Sequence, residues 1–310
     1  MKTTLTTIAV VSSLAFANVS LAENFTQTNI NKVSEIVSET MTAYGGQDKV
    51  TGLNQVFVDY DVTNTNAGQS LKPEPPWDKT KGDRKDAFDF ENQATMTEFA
   101  GEGGGNRFAG RTVVNGDNSL NIDPYRKTVA KLEQATFEQS AGPGIRVNST
   151  LLLRQLNQYI GSASYMGELS LDKKPHDVIR FTMPGGPAIS LYIDQKTKLI
   201  NKSERVVGPF LVEYYFSDHK KVDDVLFAHQ SSYTVNGDPS QTFNVEKYQL
   251  NQPLTQWLSA PQSYTEVAAT SAATNETNKL ADGVYWVKQN NQNSLFIEYD
   301  DHLVMIGGLA

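Results

Sequence analysis

Residues 56–62 of this chain read VFVDYDV, and apolar and polar side chains alternate along them with a period of two. Because successive side chains of a strand point to opposite faces, this pattern predicts a strand with one buried face. The side chains expected on that face are those of Val56, Val58, Tyr60 and Val62. The same alternation recurs at 179–183, 189–193 and 206–216. Such strands predict one large antiparallel sheet, which twists and curls when it has many strands.

Turn signals separate the predicted strands. Asn115-Gly116 and Asn236-Gly237 are typical of tight hairpins, because both residue types accept a positive φ. The run Gly103-Gly104-Gly105 lacks the Gly-Lys-Ser/Thr ending of a phosphate-binding loop and is predicted to be a hairpin loop.

Only two segments have the apolar spacing of a helix. The first is 29–44, which ends at Gly45-Gly46, and the second follows Asn148, a good N-cap, and stops at Gly161. The residues therefore predict an α+β fold, mainly antiparallel β, with two helices on the sheet.

Composition excludes several classes of function. The 310 residues carry a net charge of −8 and have no basic cluster, which argues against a nucleic-acid partner. The chain has no cysteine, so disulfides, thiolate zinc sites and cysteine nucleophiles are excluded. Four scattered histidines limit metal chemistry, and no catalytic residue is predicted. No run has the length of a transmembrane helix.

The two ends of the chain differ from its middle. Residues 1–22 have a short apolar run followed by Ser20-Leu21-Ala22, which predicts a cleaved secretory signal and an exported, most simply periplasmic, protein. Residues 23–258 are predicted to form the main domain. Residues 259–278 are rich in Ser, Thr, Ala and Asn and are predicted to be a linker, and strand character returns in 279–310.

Three stretches resemble known families. Residues 280–308, LADGVYWVKQNNQNSLFIEYDDHLVMIGG, resemble the opening strands of metallo-β-lactamase-fold hydrolases. Residues 43–60 and 191–230 resemble the accessory domain that precedes this hydrolase fold in some exported bacterial members. That domain is similar to lipoprotein-carrier (LolA-like) half-barrels. The resemblance implies a curved half-barrel sheet whose concave side holds hydrophobic groups, followed at 279–310 by the start of a hydrolase fold.

The chain departs from the hydrolase family at the metal site. Those hydrolases bind zinc through a His-x-His-x-Asp-His loop, and no His-x-His occurs in this sequence. We therefore expect no cofactor in this chain, zinc belonging only to the full-length family. The resemblance leaves an alternative, namely a truncated zinc-dependent hydrolase whose loop lies beyond Ala310. Asp300, Asp301 and His302 are weak metal candidates, because strand geometry favours a polar turn there instead.

The aromatic content suggests a partner for the main domain. Aromatic residues are frequent in the strands predicted between 181 and 233. They either pack as an ordinary core or line a concave cavity for a hydrophobic or amphipathic small molecule. Val212, Tyr214 and Phe216 share one strand face and are the candidate ligand-binding residues, whereas Glu213 marks the opposite face as the solvent side. The sequence does not indicate an oligomeric state.

Overall fold

The computed structural model describes residues 5–67, 70–103, 106–133, 135–268, 275–289 and 292–307. Its helices are α1 Leu5–Ala43, α2 Gln47–Thr51, α3 Phe137–Arg146 and α4 Ser149–Gln158, with a 3₁₀ turn at Ile160–Ser162. The strands are β1 Gln55–Thr65, β2 Lys79–Asp89, β3 Ala94–Gly103, β4 Asn106–Val114, β5 Leu120–Asp123, β6 Thr128–Lys131, β7 Ser164–Leu171, β8 Lys174–Phe181, β9 Ile189–Asp194, β10 Ile200–Val207, β11 Phe210–Val222, β12 Val225–Val235, β13 Asp238–Leu250, β14 Thr265–Val267, β15 Asn275–Ala281, β16 Val284–Gln289, β17 Gln292–Glu298 and β18 Leu303–Ile306.

Fourteen strands form one sheet in the order β14-β6-β5-β4-β3-β2-β1-β13-β12-β11-β10-β9-β8-β7. Neighbouring strands are antiparallel throughout, except that β14 runs parallel to β6. The order ends in two edge strands, β14 and β7, so the sheet is open and curved rather than closed into a barrel. The predicted fold class, mainly antiparallel β with few helices, is confirmed.

Local sequence explains the turns of this sheet. Asn236 and Gly237 have φ angles of 52° and 88° and join β12 to β13, as the hairpin signal predicted. Gly103 pairs with Asn106 across the β3–β4 hairpin, while the remaining residues of the predicted glycine loop lie outside the described part.

One face of the sheet carries the main core. Val56, Val58, Tyr60 and Val62 are at most 5% exposed on this face, which confirms the alternation predicted for β1. The helices cover it through apolar stripes, and the buried residues that α1 contributes are Val33, Ile36, Val37 and Met41. Asn148 caps α4 by accepting hydrogen bonds from the backbone N–H groups of Thr150 and Leu151, at 3.1 and 3.2 Å.

The opposite face of strands β1–β6 has a second, smaller core. Phe57 points to this side, and the ring of Trp257 stacks on it with 4.5 Å between ring centroids. Ala260 and Tyr264 pack against the same cluster, and β14 follows directly. Residues 259–267 of the predicted linker therefore lie along the sheet.

Three of the helices differ from the sequence-based expectation, and one of them is α2, a five-residue helix that was not predicted. α3 lies in FEQSAGPGIR, where Gly142, Pro143 and Gly144 argue against a helix, and it forms because Phe137, Ala141 and Ile145 are buried on the sheet. α1 begins at Leu5 instead of Asn29 and thus runs through most of the predicted signal segment. Within the described residues, no helix combines the length and apolar character needed to cross a membrane.

Residues 275–306 form a separate four-stranded antiparallel sheet in the order β15-β16-β17-β18. Strand character was predicted in 279–310, where β16, β17 and β18 lie, and β15 is a fourth strand that begins inside the predicted linker. Whether this sheet is the start of a hydrolase domain stays a prediction.

Candidate functional site

A cavity of about 600 Å³ opens on the face of the sheet that carries the main core. Its walls come from β1, β2, β3, β4 and β13. Its lining includes Val62, Arg84, Phe99, Phe108 and Phe243, together with polar side chains such as those of Asn64 and Gln241. Ligand cavities in proteins typically measure roughly 300–1,000 Å³, so a small amphiphile fits one of this size.

Two phenylalanine rings line the wall of this cavity and remain open to solvent. Phe99 and Phe108 are 44% and 43% exposed, and their ring centroids lie 6.1 Å apart. Each ring covers a glycine of the neighbouring strand, because Phe99 pairs with Gly110 and Phe108 with Gly101. A Cβ atom added to Gly101 would lie 2.9 Å from the Phe108 ring, so the glycine is what allows the ring to lie flat.

A buried ion pair forms the inner end of the cavity. Asp86 on β2 has a fully buried side chain, and Arg84 Nε donates to both of its oxygens at 3.1 and 2.9 Å. Thr97 Oγ1 donates a further hydrogen bond of 2.9 Å to Asp86. Burial alone would lower the pKa of Arg84, but the charge and hydrogen bond of Asp86, together with Tyr60 and Tyr233, outweigh it and hold that pKa above its ordinary value.

Helix α3 packs directly over this pair. At Gly144 an added Cβ would lie 2.7 Å from Asp86 Oδ2 and 2.6 Å from the Phe88 ring. The absence of a side chain at Gly144 therefore allows α3 to lie close to β2. Arg146, two residues further along, is the last residue of the helix.

The candidate residues from the sequence lie on this same face. Val212, Tyr214 and Phe216 are 9%, 6% and 4% exposed and belong to the main core. Tyr214 contacts Tyr233 with ring centroids 5.5 Å apart, and Tyr233 in turn lies 6.3 Å from Phe243 at the cavity wall. The shared face is as predicted, and the ligand-binding role of the three residues stays a prediction.

The opposite face of β11 is less open to solvent than the sequence indicated. Glu213 pairs with Lys202 Nζ at 2.7 Å, and Lys202 is only 8% exposed. Glu204 lies 2.9 Å from the same ammonium group, and the ring of Tyr192 lies 4.6 Å from it. Glu213 on β11 therefore belongs to a largely buried ion pair and does not indicate a solvent-exposed face.

The weak metal candidates lie in the exposed turn between β17 and β18. His302 Nδ1 is 2.7 Å from Asp301 Oδ1, and its ring stacks on Tyr299 at 4.7 Å. In the part of the chain that the structure describes, no three His, Asp or Glu side chains converge in the manner of a metal site.

Sequence reasoning did not identify Arg84, Phe99 or Phe108. An arginine and an aspartate two residues apart on a strand share one face, so DRKDAF at 83–88 carried a signal for a buried charge pair. The phenylalanine–glycine pairing depends on the register of β3 and β4, which the sequence does not show.

Comparisons with known proteins give structural neighbours only. No family model matches the chain, and no curated protein matches it significantly. A LolA superfamily protein from Nitrosomonas europaea is 10% identical over 72% of this chain and 96% of its own, with a TM-score of 0.45. A DUF1329 family protein from Desulfovibrio piger is 12% identical over 74% and 97%, with a TM-score of 0.38.

A third neighbour is an uncharacterized conserved protein from Thermus thermophilus. It is 11% identical over 74% of this chain and 97% of its own, with a TM-score of 0.33. None of the three is described as a metallo-β-lactamase-fold hydrolase. At these identities and scores the likeness gives no information about ligand or activity.

Proposed function

We propose that this protein binds a hydrophobic or amphipathic small molecule in the cavity on the main-core face of its sheet. The observation that carries the proposal is the cavity of about 600 Å³ with two half-exposed phenylalanine rings in its wall. Large exposed apolar side chains cost free energy in water, and a ligand chain that covers them offsets that cost.

The expected affinity follows from apolar transfer. Each buried methylene contributes about 0.8 kcal/mol, so eight methylenes supply about 6 kcal/mol before the costs of ordering the ligand. Without those costs, that free energy corresponds to a Kd on the order of tens of micromolar, and the ordering costs weaken the binding. A longer chain or a polar contact to its headgroup would tighten binding further.

A titration with a fluorescent fatty-acid probe tests this proposal on the full chain. Thr80 pairs with Asn64 on the cavity side, so Thr80→Trp should fill part of the cavity and weaken binding at least about tenfold. Thr63 precedes Asn64 on β1, so its side chain points to the opposite face of the sheet. Thr63→Trp is therefore the matched control, and this variant should bind the probe as the wild type does.

Two results would contradict the proposal. One is the absence of saturable binding by the folded wild-type chain up to high micromolar probe. The other is equal binding by Thr80→Trp and Thr63→Trp, which would place the probe elsewhere.

The proposed setting for this binding is the exported compartment, most simply the periplasm. The support is the signal-like segment 1–22, and mass spectrometry of exported protein should find Glu23 at the N-terminus. Retention of residues 1–22 would contradict it. The hydrolase alternative stays a prediction from resemblance, because no ligand set among the described residues favours it.

A further inference from the structure

Two arginines besides Arg84 lie on the cavity side of the sheet. Arg205 on β10 pairs with Val212, and Ser203 pairs with Tyr214, so both β10 side chains share the face of the predicted ligand-binding residues. Arg146 lies at the end of α3, which packs over Asp86. A strand and a helix that are distant in sequence thus bring two guanidinium groups to one region beside Tyr214.

The positive charge of this region is not balanced by the protein. Arg84 is paired with Asp86, as described above. Among the described residues, by contrast, neither Arg146 nor Arg205 has a carboxylate within ion-pairing distance. Burial lowers the pKa of Arg146, and the neighbouring charge of Arg205 lowers it further. Holding two unpaired cations close together costs free energy that an anion would offset.

Buried polar atoms without a partner mark the same place. In the described part of the chain, Arg146 Nε and Arg205 Nε are both inaccessible to water and make no hydrogen bond. Ser203 Oγ, on the same strand face as Arg205, is likewise buried and makes no hydrogen bond within that described part. Buried donors are normally satisfied, so three orphaned groups on one face indicate that something is missing from it.

Contacts between aromatic rings connect this region to the cavity. Tyr214 contacts Tyr233, and Tyr233 lies against Phe243, whose ring also faces the Arg84 guanidinium at 5.9 Å. An amphiphile whose chain covers the Phe99 and Phe108 rings would therefore extend its polar end toward the arginines.

We infer that Arg146 and Arg205 bind the anionic headgroup, a carboxylate or a phosphate monoester, of an amphiphile whose chain occupies the cavity. The inference rests on the proposed function and makes it more specific. Guanidinium groups suit both anions, because their planar N–H donors match two oxygens at once.

The experiment compares ligands that share one chain and differ only in the headgroup. Dodecanol, dodecanoate, dodecyl phosphate and dodecyltrimethylammonium are titrated against the full chain by displacement of the fluorescent probe, below their micelle concentrations. We expect at least one of the two anions to bind about tenfold or more tightly than dodecanol, and the cation to bind more weakly. The carboxylate and phosphate arms show which of the two anions is preferred.

Substitutions then assign the preference to the two arginines. Arg205→Gln and Arg146→Gln should bring the affinity for the anion down to that for dodecanol while the affinity for dodecanol stays constant, and Arg205→Lys should restore part of the difference. Arg180→Gln is the matched control, because Arg180 on β8 is exposed and lies between Ile179 and Phe181, which point to the main core, so its side chain points to the other face of the sheet. Thermal unfolding of each variant confirms that it folds.

The outcomes separate this inference from the proposed function. If dodecanol binds and Thr80→Trp weakens its binding, but all four ligands bind equally tightly, the cavity binds the alkyl chain and the headgroup inference fails. If the Gln variants weaken dodecanol and the anions by the same factor, the arginines are only structural and the inference also fails. If no amphiphile binds, the proposed function itself fails.

Discussion

Gly144 shows how one residue without a side chain fixes the distance between a helix and the sheet. Its added Cβ would lie within 2.7 Å of both Asp86 and Phe88, and both of those side chains are fully buried. The close approach holds α3 directly over the Arg84–Asp86 ion pair.

Gly144→Ala should therefore destabilise the fold by about 1–3 kcal/mol, the usual cost of overpacking a core. The free energy of unfolding from urea titration measures this. Gly161→Ala is the control, because nothing lies within 4 Å of the added Cβ there, and it should change stability by less than about 0.5 kcal/mol. Equal effects at the two glycines would show that the contact at 144 relaxes freely.

Lys202 is a charged residue whose position on a strand follows from the sequence, whereas its ion-pair partners do not. Its ammonium group lies between Glu204 and Glu213 and against the Tyr192 ring. Burial alone would lower the pKa of Lys202, but the hydrogen bonds to the two glutamates outweigh it and raise that pKa. Burial alone would raise the pKa of Glu213, but Lys202 outweighs it and lowers that pKa.

The pH dependence of Lys202→Met follows from these two directions. A lowered pKa of Glu213 contributes stability above its ordinary value of 4.5, and this contribution is lost as pH falls through the folded-state pKa. A raised pKa of Lys202 contributes stability that is complete below its ordinary value of 10.5. The substitution should therefore cost about 2–3 kcal/mol at pH 7 and much less near pH 3.

Unfolding free energies at the two pH values test this. Lys220→Met is the matched control on the next strand, because Lys220 and its partner Asp218 are more than half exposed, and it should cost less than about 1 kcal/mol. A loss for Lys202→Met that does not change between pH 7 and pH 3 would contradict the assigned role of the ion pair.

At the scale of the elements, α4 is anchored by its cap. Asn148 is 2% exposed, accepts the two backbone hydrogen bonds described above, and donates a third of 3.2 Å to the Tyr248 hydroxyl on β13. Tyr248 in turn donates to the carbonyl of Ala228 on β12. One side chain thus connects the start of a helix to two strands.

Asn148→Ala should destabilise the fold by about 2 kcal/mol, roughly half from the lost cap and half from the lost bond to Tyr248. Thr136→Ala removes the cap of α3, which rests on a single hydrogen bond of 3.4 Å, and should cost about 0.5 kcal/mol. Thermal and urea unfolding of both variants measure the difference. A larger loss at Thr136 than at Asn148 would reverse the expected order.

The consecutive helices α3 and α4 show what the sequence could and could not predict. The start of α4 at Asn148 and its end near Gly161 could be predicted, because helix capping depends on local residues. α3 was not, because Gly142, Pro143 and Gly144 lower its intrinsic helix propensity and only its burial against β2 compensates. Intrinsic propensity is a weak guide wherever tertiary packing of this kind decides.

At the scale of the whole molecule, the alternation along each strand was enough to predict the sheet and its buried face. It could not predict that strands β1 and β2 are covered on both faces, because Phe57 meets Trp257 from 200 residues further along the chain. The candidate site follows the same rule. The shared face of Val212, Tyr214 and Phe216 was readable from β11, whereas their neighbours Arg146 and Arg205 depend on how distant elements meet.

The central claim, that the cavity holds an amphiphile, is tested most directly by photolabelling. A dodecyl amphiphile with a diazirine near the end of its chain is bound to the full chain, activated by light and located by peptide mass spectrometry. We predict saturable labels in the segments that contain Phe99, Phe108 and Phe243, and competition by unlabelled dodecanoate. Labels that do not saturate, or that concentrate on the exposed apolar side chains of β18 instead, would contradict the account.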